Sequence, residues 1–154
     1  MDLSDLISQD AVIASLKANS KKQVIQELSE RAGNLLGMPA RDIFDHLLQR
    51  ERLGSTGIGQ GVAIPHAKLP ALDGLFGMFA RLDKPIDFDA IDDEPVDLVF
   101  LLLAPEAAGA DHLKALARIA RLMREPGTAQ KLRSSQDAAS IYSVLSRAAE
   151  PNAA

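Results

Sequence analysis

Apolar residues near the start of the chain recur every three to four positions. Val24, Ile25, Leu28, Ala32 and Leu35 share this period, which places them on one helical face. Ser20 followed by Gln23 reads as a capping box in front of them, and Gly37 as the stop. Pro39 suits the first turn of a second helix, with Ile43, Phe44, Leu47 and Leu48 as its stripe. Gly54 and Gly57 imply that this helix ends near residues 50–52.

The period then changes. Ile58, Val62 and Ile64 alternate with small or polar residues, as in a short strand. Residues 75–82 form a second strand candidate and 96–103 a third, the latter unbroken in its apolar character, as expected of a strand covered on both faces. Residues 85–88 suit a short edge piece. Helical spacing returns after Asp111, which is placed to cap a helix through Arg124. Leu113, Leu116, Ala117, Ala120 and Met123 would line its inner face, opposite Lys114, Arg118, Arg121 and Glu125. Pro126-Gly127 ends that helix, and another carries Ile141, Val144 and Leu145. Helices on either side of a central strand region imply a layered α/β sandwich.

The chain has 154 residues, a length that fits one domain. We expect residues 1–148 to form it and 149–154 to be a flexible tail. Seventeen Lys and Arg against 21 Asp and Glu give a net charge of −4, without the basic excess of a nucleic-acid binder. Cys is absent, which excludes disulfides, thiolate nucleophiles and Cys-ligated zinc. The acidic start does not read as a secretory signal. The longest apolar run, residues 98–104, falls far short of the ~20 residues that span a bilayer. No membrane insertion and a cytoplasmic location are the expectation.

Chemistry concentrates in residues 50–66, RERLGSTGIGQGVAIPH, where four glycines fall within eight positions. Gly59 is followed by Gln60, so a phosphate-binding Gly-Lys-Ser/Thr loop is absent. The dinucleotide fingerprint fails as well, since its third Gly would fall at Val62. Pro65 cannot donate to a sheet ladder, so pairing should lapse before His66 and leave that ring at a strand end. His66 could equally be a packed structural residue, sharing a face with Val62 and Ile64. Arg50 could serve an anion or merely favour a helix C-terminus. His112 at a helix start could face an anion or solvent, and His46, between apolar neighbours, reads as structural. A zinc site of His46, His66 and His112 lacks any short ligand pair and is not favoured. Ser55 and Thr56 could donate hydroxyl hydrogen bonds to a site or stabilise a turn.

The same stretch resembles the active-site segment of enzyme IIA components of the bacterial phosphotransferase system, in the mannitol/fructose and nitrogen-regulatory superfamily. The likeness runs from Arg50 through Ser55-Thr56, Gly59 and Gly61 to Ile64-Pro65-His66, with Val62 in place of a frequent Ile. Looser likeness extends over residues 3–145, including Phe88-Asp89-Ala90-Ile91-Asp92 and Pro95-Val96-Asp97-Leu98. Gly54-Ser55-Thr56-Gly57-Ile58-Gly59 resembles the nitrogen-regulatory branch more than the sugar-specific one.

The resemblance implies a central mixed sheet flanked by helices on both faces. It implies that His66 accepts a phosphoryl group from an HPr-like nitrogen carrier, itself supplied by a nitrogen-type enzyme I. Arg50 would stabilise phosphate, His112 would assist, and Ser55, Thr56 and Gly57 would help bind it. No metal or cofactor is required for this chemistry. The phosphorylation state would then regulate transporters or sensor kinases. The alternatives are a sugar-specific IIA that passes phosphate to a IIB component, or an adaptor of the same fold that is not phosphorylated. Ala67 departs from a frequent Gly after the histidine, so a slightly different backbone is expected there. The glycines are expected to let a partner's backbone approach.

Overall fold

The structure, a computed structural model, describes residues 3–148, and Ala148 by its backbone alone. The expected tail at 149–154 lies outside the described residues. Short 3-10 turns at Leu3–Asp5 and Gln9–Ala11 lead into β1 (Val12–Leu16), a strand that sequence reading passes over. The helix α1 (Lys21–Leu36) starts where the capping pattern places it. The Ser20 hydroxyl accepts from the Gln23 N–H at 3.1 Å, and the Gln23 side chain reaches back to the Asn19 N–H at 2.7 Å, so free first-turn donors are satisfied. The second helix, α2 (Ala40–Arg52), opens one residue later than expected, with Pro39 at the cap in extended conformation.

Ile58, Val62 and Ile64 do not form one strand. Ile58 lies in β2 (Gly57–Gly59) and Val62 in β3 (Val62–Ala63), an antiparallel pair, while Ile64 falls just beyond β3. Gln60 and Gly61 between them both have positive φ, 58° and 80°, the backbone that a two-residue hairpin demands. His66 does not close a strand but opens one, β4 (His66–Leu69). Val62 faces Leu98, Ala63 faces Val99 and His66 faces Leu102, so β3 and β4 keep one register along β6 (Val96–Pro105). Pro65 interrupts donation without shifting the strand, because its carbonyl still accepts from the Leu102 N–H at 3.0 Å. Ala67 lies in this extended strand, buried and opposite Leu103, so no positive φ is needed and alanine fits.

The long strand β5 (Phe76–Ile86) absorbs part of the expected edge piece, while Phe88 is fully buried just beyond it. The sheet runs β1-β5-β6-β3-β2, with β4 also on β6. β1 is parallel to β5, β5 antiparallel to β6, and β3 and β4 parallel to β6, so the sheet is mixed. Every residue from Leu98 to Ala104 is fully buried. Side chains alternate faces along a strand, so both faces of β6 are covered by helices.

The helix α3 (Ala110–Arg124) begins one residue before Asp111, with Gly109 rather than Asp111 at the cap position. Its buried face is His112, Ala115, Ile119, Leu122 and Met123, while Leu113 is 67% exposed. The expected apolar stripe is therefore rotated by about one residue, because His112 was not counted among the inward positions. Pro126-Gly127 ends α3 but also opens α4 (Pro126–Ser134), and α5 (Ala138–Ala148) completes the described chain. No described helix is long and apolar enough to cross a membrane.

Candidate functional site

The last turn of α2 carries Arg50, β4 begins with His66, and the first turn of α3 carries His112. Packing of α2 against β4 and of α3 against β6 brings the three together. The His66 ring is half-buried. Its Nδ1 lies 2.8 Å from the Ile64 carbonyl oxygen. A carbonyl can only accept, so Nδ1 carries the proton and Nε2 keeps a lone pair. Arg50 Nε–H donates to that Nε2 at 3.2 Å, and Arg50 Nη1 donates to the Gly54 carbonyl at 2.8 Å.

The His66 and His112 rings lie 5.5 Å apart between centroids, tilted by 51°. His112 is 6% exposed, and its Nδ1 is buried without a hydrogen-bond partner. Burial holds both imidazoles below the ordinary pKa of 6.5. For His66 the hydrogen bond to Ile64 and the Glu51 charge oppose this, while the Arg50 cation reinforces it. For His112 the neighbouring His66 and Lys68 act in the same direction as burial. Both rings are thus held neutral at pH 7, which leaves Nε2 of His66 nucleophilic.

The site opens to solvent through a depression of about 600 Å³ lined by His46, Gln49, Arg50, Arg52, Leu53, His66, Ala67, Lys68 and His112. His46 faces it from α2, one turn before Arg50, with its Nδ1 2.7 Å from the Asp42 carbonyl. Among the described residues no group of three His, Cys, Asp or Glu could hold a metal ion, so the three histidines do not form a zinc cluster.

Residues 5–148 match the family model described as phosphoenolpyruvate-dependent sugar phosphotransferase system, EIIA 2. This chain belongs to that family. The nitrogen regulatory protein of Bradyrhizobium diazoefficiens is 62% identical over 145 residues, covering 94% of this chain and 95% of that protein. The nitrogen regulatory protein of Escherichia coli is 37% identical over 147 residues, covering 94% and 90%. The crystal structure of nitrogen regulatory protein IIA-Ntr from Neisseria meningitidis superposes with a TM-score of 0.88 at 32% identity, covering 93% of this chain and 98% of that one.

In this EIIA 2 chain Ser55, Thr56 and Gly57 bond to groups other than His66. The Ser55 hydroxyl donates to the Phe88 carbonyl at 2.6 Å and accepts from the Gly57 N–H at 3.0 Å. Ser55 and Gly57 line a separate depression with Ile58, Asp89, Ile91 and Arg124. Thr56 is buried, with its hydroxyl and N–H both directed at the Glu51 carboxylate. Glu51 also pairs with Lys21 Nζ at 2.7 Å, and Lys21 stands 5.2 Å over the Phe88 ring. This buried network was missed in the sequence. The only signal for it was a carboxylate beside Arg50 at the end of an amphipathic helix.

Gly57 is packed against the chain itself. A Cβ built on Gly57 would stand 2.8 Å from the Ala90 Cβ and 2.9 Å from its Cα, and a backbone atom cannot yield cheaply. Gly57→Ala is therefore expected to lower stability by about 1–3 kcal/mol, the cost of overpacking, measured by urea unfolding. A loss under about 0.5 kcal/mol would show that the 88–94 loop moves aside freely.

The lowered pKa values set an acid limb. Below pH 6.5 the unfolded chain binds protons at these imidazoles that the native state refuses, so stability falls with pH until the native pKa values are passed. Carboxylates titrate mainly lower, about pH 4. A double His66→Gln, His112→Gln variant should thus show a flatter stability profile than the parent between about pH 6.5 and 5. Parallel profiles would contradict the assigned direction.

Proposed function

We propose that this protein is a phosphohistidine carrier of the nitrogen branch of the phosphotransferase system, with His66 as the acceptor. One observation carries the reading: His66 lines an open depression with its Nδ1 tied to the Ile64 carbonyl and its Nε2 lone pair accepting from Arg50 Nε–H at 3.2 Å. Nitrogen regulatory relatives at up to 62% identity support the branch.

The lone pair attacks phosphorus in line with the departing nitrogen of the carrier's phosphohistidine. An Nε2–P bond forms at His66, the donor N–P bond breaks, and its electron pair returns to the carrier's imidazole. Such a step needs positioning and stabilisation of charge on the equatorial oxygens more than covalent help. Arg50 gives up Nε2 and takes phosphoryl oxygens with its planar fork. The His112 ring, with Nδ1 unheld by any hydrogen bond, turns to donate to another oxygen. Ser55, Thr56 and Gly57 act one step back, by holding the loop between α2 and β2, and not as phosphate ligands.

Transfer requires two proteins to share one phosphorus, and an open depression permits that where an enclosed pocket would not. The donor is an HPr-like carrier charged by a nitrogen-type enzyme I in the cytoplasm. The added charge of about −1.5 to −2 alters which transporters or sensor kinases dock. Mixing the protein with labelled phosphoenolpyruvate, enzyme I and carrier should give one acid-labile, alkali-stable label per chain. No label contradicts the reading, and rapid onward transfer to a IIB cysteine would favour the sugar-specific alternative. Arg50→Lys keeps the charge but loses the fork, and should slow transfer about tenfold or more. Its unfolding free energy should change by less than about 1 kcal/mol. Equal losses of rate and stability would make Arg50 a helix-end device only.

A further inference from the structure

We propose that the depression over His66 also binds a free phosphate dianion or phosphate monoester in the unphosphorylated protein, held by Arg52, Lys68 and His112. The volume is about 600 Å³, within the ~300–1,000 Å³ usual for small-molecule sites and more than one phosphoryl group on Nε2 requires. Arg50, Arg52 and Lys68 are the charged residues that line it, with no carboxylate among the lining side chains. In a chain of net charge −4 this local excess of cations is not the background composition.

Arg50 is already engaged by His66 and Gly54. Arg52 and Lys68 are not so committed. The ion pairs among the described residues join Lys21 to Glu51 and Asp89 and Arg133 to Asp97, leaving both cations without a carboxylate. Lys68 stands two residues after His66 on β4 and so shares its face. Glu51, next to Arg52 in sequence, is buried and turned toward Lys21 and Thr56. The second, independent feature is His112. It is 94% buried, it lines the depression, and its Nδ1 has no partner. No hydrogen bond resists a turn of that ring that would offer an N–H to an anion oxygen.

Arginine, ammonium and imidazole N–H donors together suit a phosphate oxyanion. A bound phosphate occupies the space the incoming phosphoryl group needs. Free phosphate therefore slows charging of His66, and this consequence alone rests on the acceptor reading above.

The test titrates inorganic phosphate, and separately glycerol phosphate, into the unphosphorylated full chain at ionic strength matched with KCl, since long-range attraction is screened by salt. Calorimetry and side-chain NMR should show saturable binding with shifts at Arg52, Lys68 and His112. Arg52→Gln combined with Lys68→Gln should weaken it about tenfold or more. Glycerol phosphate binding as well as phosphate would identify the source as a phosphorylated metabolite, and phosphate binding alone would identify free phosphate. A response no larger than that to KCl, or equal binding by the double variant, overturns the proposal. In a second arm phosphate slows labelling of His66 from the charged carrier, and the fractional slowing is lost in the double variant. Label without phosphate binding defeats this inference alone; phosphate binding without label defeats the acceptor reading alone.

Discussion

Replacing His66 by alanine is expected to abolish labelling from a charged carrier, with a loss beyond detection rather than a graded one. In the proposed function the imidazole is the nucleophile, and no neighbouring group is placed to substitute. His112 is 6% exposed against the half-buried His66, and its Nδ1 is enclosed. His46 has its Nδ1 committed to the Asp42 carbonyl and lacks a guanidinium at its other nitrogen among the hydrogen bonds of the described residues. The Arg50 guanidinium offers only N–H donors and no lone pair with which to attack phosphorus. The fold should survive the change, because His66 contributes a side chain to an open depression and its strand is held by backbone pairing to Leu102. Circular dichroism and unfolding should therefore remain close to the parent while the label disappears. A label retained at parental level in His66→Ala would move the acceptor elsewhere.

The largest stability effect is expected at Glu51. Its carboxylate is 6% exposed and holds three donors: the Lys21 ammonium at 2.7 Å, the Thr56 N–H at 3.2 Å and the Thr56 hydroxyl. Removing one partner of a buried pair costs about 3–5 kcal/mol, because the other charge stays desolvated. Lys21 keeps some contact with water, its side chain being 19% exposed, so Glu51→Ala should lose about 3 kcal/mol, the low end of that range. Glu51→Gln retains an acceptor for Thr56 but not the charge for Lys21, and should fall between parent and alanine. The urea midpoint measures both. A loss below about 1 kcal/mol for Glu51→Ala would show that water replaces the carboxylate. The consequence reaches the site, since Glu51 adjoins Arg50 and braces the segment that leads from α2 into β2.

Much of this arrangement is legible in the amino-acid sequence. α1 and its cap followed from Ser20, Gln23 and a plain helical period. The burial of β6 followed from seven consecutive apolar residues, because only a strand covered on both faces tolerates them. The dense Arg50-to-His66 segment marked where the site would be. Other features depended on contacts distant in sequence. β1 is too short to show a period, and it is held by pairing with β5, more than sixty residues away. The inner face of α3 is not legible from apolar spacing because it includes His112, a polar residue that is buried. The packing reason for Gly57, the approach of Ala90, lies more than thirty residues downstream and leaves no local signal. Ser55 and Thr56 looked like ligands since their hydroxyls could serve a phosphate or a turn. Only the positions of Phe88 and Glu51 show which partners they have.

With Nδ1 of His66 tied to the Ile64 carbonyl, Nε2 is the nitrogen proposed to receive the phosphoryl group. Nitrogen-15 NMR of the imidazoles, recorded before and after charging by the carrier, distinguishes the two ring positions. A neutral Nδ1–H form is expected before charging, and phosphorus coupling at Nε2 of His66 afterwards. Phosphorus on Nδ1, or on any other residue, would contradict that assignment.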